Sequence, residues 1–358
     1  MSFPENSKKW NKKIENEKKA LNFRKTFNTI NSAMPVRVNI GTTDVCNLRC
    51  PMCIFPDHSE HGEMPFETFM ELGRELFPLA KEYHTTLFGE PLLTSYFKEI
   101  PKILNSYQTK MSFVTNGMLL NQKSSKLVIP VLRDIKFSFD GATKRTFEKI
   151  RPNSNFELIL KNIKEFIELR NSTQYRPTVT LLTTLMYDNI KELPDIINLA
   201  YKLGIDRVKA CFMVLTNPAL KMQSLWFYKE LTNEYLDKAE KLATSYGIKT
   251  KFYKKFKLNE SSANNKKGTW NIDCRFLWEE AWVKVNGDIL PCCNIETPVA
   301  GNVYKIPFSV AWNNDIYQNM RQRLNSENPY ECCKHCILPN EDVKTDYYDY
   351  DYKSLIPK

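Results

Sequence analysis

The chain has 358 residues, more than one small core organises, and its 42% hydrophobic and 12% aromatic content describes globular rather than disordered protein. No apolar run is long enough to span a membrane, and the Lys- and Asn-rich N-terminus lacks a signal peptide's apolar segment, so a cytoplasmic protein with no membrane partner is expected. The net charge of +10 sits in two segments, +5 over residues 1–30 and +7 over 241–268, which leaves a near-neutral body at −2; solvated basic faces of this kind argue against a nucleic-acid partner, and the alternative use for them is to steer an acidic reductant or a phosphorylated substrate.

Residues 5–30 read as a basic helix with Trp10, Ile14, Leu21, Phe23 and Phe27 at loosely helical spacing, packed on the body from outside. From residue 36 strand and helix patterns alternate. Strands are expected at 36–40, 85–88, 111–115, 134–139, 178–186 and 207–214, with helical patterns at 66–80, 96–106, 156–170 and 188–203. Pro65 suits a first helical turn, Pro101 a break or kink, and Asp188 a cap. Six strands joined by helices imply parallel βα units, an α/β class two strands short of an eight-stranded barrel. Residues 215–248 read as mostly helical and 249–268 as an exposed Lys/Asn/Ser linker. From Trp270 the texture changes to short elements, turns and cysteines. The expected divisions are an N-terminal extension (1–35), a barrel core (36–215), a helical linker (216–268), a second domain (269–340) and a peripheral Tyr/Asp tail (341–358).

Ten cysteines cluster as 46/50/53, 274, 292/293 and 332/333/336, with Cys211 apart. Without an export signal, such clustering favours metal over disulfides. Cys46, Cys50 and Cys53 have C-x3-C-x2-C spacing in a loop after the first strand. Three thiolates are one short of the four that complete an iron–sulfur cluster, which leaves one iron open. The spacing also suits zinc with a distant fourth ligand, or three reduced core cysteines. In parallel barrels the active site lies at the C-terminal strand ends. Gly89-Glu90-Pro91, Thr115-Asn116-Gly117 and Ser138-Phe139-Asp140-Gly141 fall there, after strands two, three and four. A glycine admits a ligand close to the backbone, and a carboxylate pairs with an ammonium. Each turn by itself is ordinary loop chemistry.

Taken together, in order at the ends of four successive strands, the cysteine loop and these turns resemble the radical S-adenosylmethionine (SAM) superfamily. The resemblance implies a partial (β/α)6 TIM-type barrel. It implies a 4Fe–4S cluster on Cys46, Cys50 and Cys53 whose open iron takes the amino and carboxylate groups of SAM, and reductive cleavage to a 5′-deoxyadenosyl radical that abstracts hydrogen from a substrate C–H bond. It also implies that Gly89 and Glu90 hold the SAM amino group, that Asn116 serves the Thr-Asn-Gly turn, that Ser138 and Asp140 lie near the ribose and carboxylate, and that Arg151 clamps the carboxylate. Met52 departs from the aromatic that many members carry before the third cysteine, which weakens the expectation of adenine stacking there.

Cys274, Gly287-x4-Cys292, Gly301-Asn302 and Cys332-Cys333-x-x-Cys336 resemble the SPASM/twitch extension of the same superfamily. This implies one auxiliary 4Fe–4S cluster on Cys274, Cys292, Cys333 and Cys336, with Cys293 or Cys332 able to replace a neighbour. Four thiolates also suit structural zinc, as in a non-catalytic adaptor. The single-cluster pattern is similar to that of twitch-type cyclitol dehydrogenases. The expected reaction is therefore oxidation of a sugar or cyclitol alcohol, with the auxiliary cluster as electron acceptor and a flavodoxin or ferredoxin-type reductant. The alternatives are epimerisation of a sugar or peptide with Cys211 as hydrogen donor, against a plain buried cysteine at that position, and maturation of a ribosomal peptide. No stretch identifies the substrate by spacing.

Overall fold

The computed structural model describes residues 7–55, 62–85, 87–215, 217–258, 272–294, 296–334 and 336. Ser7 caps the first helix, α1 (Lys8–Lys25), by accepting a hydrogen bond from the Trp10 amide. Strands β1 (Arg37–Ile40), β2 (Glu82–His84), β3 (Lys110–Thr115), β4 (Leu132–Ser138), β5 (Thr178–Leu185) and β6 (Arg207–Phe212) follow, linked through α2 (Phe66–Leu76), α3 (Ile100–Tyr107), α4 (Gln122–Val128), α5 (Lys144–Ile150), α6 (Phe156–Asn171) and α7 (Leu193–Leu203). Beyond them lie α8 (Lys229–Tyr246), β7 (Lys249–Phe252), α9 (Phe276–Glu279), β8 (Glu280–Val283), β9 (Asp288–Leu290), β10 (Gly301–Asn302), α10 (Phe308–Trp312), α11 (Asp315–Arg323) and α12 (Glu331–Lys334).

All ten strands form one sheet in the order β10-β9-β8-β1-β2-β3-β4-β5-β6-β7. From β8 to β7 every neighbouring pair is parallel; β9 and β10 close one edge antiparallel. The six-stranded core is thus flanked by a seventh and an eighth parallel strand, and among the described residues nothing pairs β7 back to the other end. Among those residues no helix is long and apolar enough to cross a membrane.

Three differences from the expected pattern share a physical cause. The second strand lies at Glu82–His84, not 85–88; Thr86 is outside the described residues. Its charged ends look unlike a strand because they face the barrel interior, while Tyr83 between them is fully buried on the helix side. The same alternation puts Ser112, Asp134 and Lys136 on the face of Ser138. β7, inside the expected linker, is almost wholly exposed and Lys-rich, so it pairs through backbone alone. Residues 259–271 and the Tyr/Asp tail lie outside the described residues. β8, the first strand after Trp270, pairs with β1 in the barrel's own sheet.

Charge on the inner face is matched locally. Arg37 bonds Glu82 at 2.9 Å and Glu280 at 2.7 Å, and Arg133 also reaches Glu82. Asp134 accepts from Ser112 Oγ at 2.6 Å and pairs with Lys136 and Arg133. Burial pushes the Glu82 carboxyl up, but His84, Arg37 and Arg133 outweigh it and hold it well below the usual range.

Helix α1 docks through polar atoms rather than the expected apolar stripe. Lys13, Asn16 and Ala20 are its buried residues, whereas Phe27 is exposed. Lys13 Nζ donates to the carbonyls of Phe77 and Ala80 just past α2, and to Thr109 Oγ1 at 3.0 Å. Burial pushes this ammonium down to about 7. Lys13→Met leaves the two buried carbonyls to share the single Thr109 hydroxyl. It should lower the unfolding free energy by about 2–3 kcal/mol, as followed by denaturant titration of tryptophan fluorescence.

Candidate active site

The loop after β1 is held in place by backbone on three sides. Val45 O accepts from Glu90 N at 2.8 Å, Pro152 O accepts from Arg49 N at 3.4 Å, and Asp44 Oδ1 accepts from Gly62 N at 2.5 Å. Asn116 Nδ2 donates to Asn47 Oδ1 at 2.8 Å, which ties the turn after β3 to the same loop. Gly89 makes the contact with Val45 possible. Its φ is +72°, and an added Cβ would lie 2.7 Å from Thr43 O and 2.8 Å from Val45 O.

The strand ends and this loop enclose a cavity of about 310 Å³. Cys46, Cys50 and Cys53 lie on its wall with Glu90, Asn116, Ser138 and Arg151. Val114 and Thr184, on β3 and β5, complete the floor, and Leu48, Met52, Ile54 and Phe55 supply an apolar rim. Glu90 is fully buried. Its Oε1 accepts from Thr115 Oγ1 at 2.8 Å and its Oε2 from Asn116 N at 2.7 Å. Burial still wins over these donors and pushes the carboxyl up to about 7.

Arg151 faces two ways. Its Nη2 pairs with Asp140 Oδ2 at 2.6 Å, and its Nη1 reaches Cys50 Sγ at 3.7 Å. The buried Nε has no hydrogen-bond partner. Asp140 is fully buried and is not on the cavity wall; it lies behind Arg151, held by Thr184 N at 2.6 Å. Asn189, also fully buried, braces this corner by donating to Asp140 O at 3.0 Å and Thr184 O at 2.9 Å. Cys211 lies opposite Thr184 in the β5–β6 register but is not on the wall. Its Sγ contacts Thr183 O at 3.7 Å, and burial pushes the thiol up.

None of the ten cysteines, all among the described residues, is disulfide-bonded. Burial pushes Cys46 up and Cys50 up to about 11, with Arg151 opposing. Thiols so placed ionise when a metal supplies the missing positive charge. Among the described residues no three Cys, His, Asp or Glu side chains already stand in coordination geometry, so the wall presents a donor set rather than a finished cage. That set, three thiols beside one cavity containing a buried carboxyl and a buried guanidinium, fits a cluster with one open iron and a zwitterionic ligand.

The second cysteine group forms its own core. Cys274, Cys332 and Cys333 are buried with Leu277, Trp278, Met320 and Leu324, and Cys292 and Cys336 pack against them. Cys293 is exposed. The amides of Leu277 and Phe276, at the start of α9, bond Cys274, yet burial pushes that thiol up to about 12.

Sequence reasoning missed Asn47, Thr184 and Asn189. A run of two threonines late in an apolar strand was the available signal for Thr184; Asn47 and Asn189 act through loop geometry that spacing does not encode.

Two family models match. The radical SAM superfamily model covers residues 40–200, and an iron–sulfur cluster-binding (SPASM) domain covers 274–337. The chain belongs to the radical SAM superfamily and carries a SPASM domain. Its cofactors are S-adenosylmethionine, the 4Fe–4S cluster that binds it and an auxiliary 4Fe–4S cluster. It is 27% identical over 175 residues to a GTP 3',8-cyclase of Clostridium perfringens, which covers 47% of this chain and 53% of that protein. It is 25% identical over 170 residues to the tungsten-containing aldehyde ferredoxin oxidoreductase cofactor-modifying protein of Pyrococcus furiosus, covering 46% and 48% respectively. The chain thus spans about half the length of each. In fold it is similar to Streptococcus suis SuiB bound to S-adenosylmethionine, with a TM-score of 0.64 at 15% identity over 88% of this chain and 74% of that one. It is also similar to anSMEcpe with bound AdoMet, with a TM-score of 0.63 at 16% identity over 90% and 96%.

Gly89→Ala combines a left-handed backbone with a clash against Thr43 and Val45, and should lower the unfolding free energy by about 1–3 kcal/mol in a denaturant titration.

Proposed function

We propose that this enzyme takes a hydrogen atom from a C–H bond of an alcohol-bearing sugar or cyclitol and releases a two-electron oxidised product. The observation that carries the radical chemistry onto particular residues is the shared wall: three cysteines, Glu90, Asn116, Ser138 and Arg151 around one cavity. Cys46, Cys50 and Cys53 would hold the SAM-binding cluster. Bound there, reduced cluster and SAM together supply a carbon radical able to attack an unactivated C–H bond.

The chain's part is placement and exclusion. Glu90 accepts from the SAM amino group, its oxygens already oriented by Thr115 and Asn116. Arg151 pairs with the SAM carboxylate, kept in position by Asp140 from behind. Ser138 and Thr184 offer hydroxyls on the floor, and Leu48, Met52, Ile54 and Phe55 keep water from the reacting carbon.

Support for oxidation over isomerisation comes from the second cysteine group. Cys274, Cys292, Cys333 and Cys336 would hold the auxiliary cluster, which supplies an acceptor for the second electron; Cys332 is packed in the same core and Cys293 is not. Epimerisation with Cys211 as donor has less support, since its sulfur is turned to Thr183 O and off the cavity wall. A second reading, modification of a peptide, is favoured by the fold: SuiB has been solved with the precursor peptide SuiA and anSMEcpe with the Cp18Cys peptide.

Anaerobic turnover with strong reductant and deuterated candidate substrates separates these. Deuterium in 5′-deoxyadenosine together with a product three mass units lighter than the deuterated substrate, one D and one H lost, supports oxidation of the sugar or cyclitol. A product at most one mass unit lighter, or label transfer only from a peptide, overturns it. Cys50→Ala should abolish 5′-deoxyadenosine formation. The Glu90 carboxyl, protonated below about 7 before SAM binds, must ionise to accept fully from the N–H groups of the SAM amine. Wild-type SAM affinity should therefore strengthen as pH rises through that value. Glu90→Gln should bind about tenfold more weakly and without that slope, as read by anaerobic equilibrium dialysis.

A further inference from the structure

We propose that Arg321 sets the reduction potential of the auxiliary cluster, acting as a buried positive charge that has no carboxylate partner among the described residues and packs against the core of the second cysteine group. The inference rests on the reading that the second cysteine group holds that cluster.

Arg321 lies on α11 with 1% of its surface exposed. Four acceptors meet its five N–H groups, all of them uncharged. Nε donates to Leu277 O at 2.8 Å, Nη1 to Thr29 O at 2.8 Å and Asn313 Oδ1 at 2.9 Å, and Nη2 to Trp312 O at 3.0 Å. The rings of Trp312 and Tyr317 pack against it at 4.9 and 5.1 Å. Among the described residues no carboxylate pairs with it. Elsewhere in the chain a buried or half-buried arginine on the barrel side does have one: Arg37 with Glu82 and Glu280, Arg151 with Asp140, Arg170 with Asp206.

The cation reaches the cysteines through two separate residues. Leu277 accepts from Arg321 with its carbonyl and packs with Cys274 in one core. Tyr317 stacks on Arg321 and its hydroxyl donates to Leu290 O at 3.4 Å, two residues before Cys292. Met320 and Leu324, on either side of Arg321 along the chain, pack into the core that contains Cys274, Cys332 and Cys333. A fixed cation in an apolar surround stabilises the more negative, reduced state of a neighbouring cluster more than the oxidised state, which raises the potential. Arg321 touches no cysteine; it is a positioning residue that acts through Leu277 and Tyr317.

Two substitutions remove the net charge in different ways. Arg321→Gln deletes it while keeping an amide donor for a nearby carbonyl. Asn313→Asp leaves the guanidinium in place and neutralises it with a carboxylate at an acceptor site it already uses. In an anaerobic redox titration of the full-length holoenzyme followed by paramagnetic resonance, both should lower the reduced-to-oxidised ratio of the auxiliary cluster about tenfold at a fixed potential, or about 59 mV for one electron. The SAM-binding cluster should titrate as in wild type, a separation that general loosening of the fold does not produce. An unchanged auxiliary titration in either variant that retains its iron overturns the role of Arg321. If Arg321→Gln gives no folded protein, Asn313→Asp decides alone. Wild-type protein with roughly four irons per chain instead of eight overturns the auxiliary-cluster reading itself, independently of Arg321.

Discussion

One backbone contact underlies the cavity: the passage of Gly89-Glu90 under the cysteine loop, where Glu90 N meets Val45 O at 2.8 Å. Only a residue without a side chain fits the preceding position, because the loop backbone occupies the volume a Cβ would take. The same contact turns the Glu90 carboxylate toward the turn after β3, where Thr115 and Asn116 fix both oxygens. Asn116 in turn reaches back to Asn47 in the cysteine loop. Loop, carboxylate and turn form a closed circuit, so no member moves without the others. This is how a site built on loops acquires the precision of one built on strands.

The rest of the barrel follows a simple division of labour. Its outer face is apolar and packs on helices; its inner face is polar, and each charge there has a partner on a neighbouring strand. A polar interior is costly unless satisfied, and the Arg37, Glu82, Glu280 and Asp134 contacts satisfy it. The same network fastens β8, and with it the second cysteine group, to β1 and β2.

Much of this was legible in the chain. The cysteine loop and the three strand-end turns are local in sequence, so their spacing carries their chemistry, and the parallel α/β class follows from the alternation of periods. What was illegible is non-local. Glu82 and His84 look like surface residues until the inner face is known, so β2 was expected three residues late. β7 is a strand only because β6 offers it a partner. Lys13 reads as one lysine among many on a basic helix, yet it is fully buried against α2. Asp140 sits in a turn like the others, and nothing in its neighbours signals that it stands behind Arg151 rather than facing the cavity. Arg321 is indistinguishable by sequence from the half-buried Arg323 two positions on.

The pairing of β8 with β1 has a further consequence. β1 leads directly into the first cysteine group, and β8 lies between Cys274 and Cys292 of the second; Gly41 N also bonds Val283 O at 2.9 Å. The two groups are therefore mounted on adjacent rungs of one ladder rather than on bodies joined by a tether. The separation of the two groups is thus governed by a hydrogen-bonded strand pair and not by a linker.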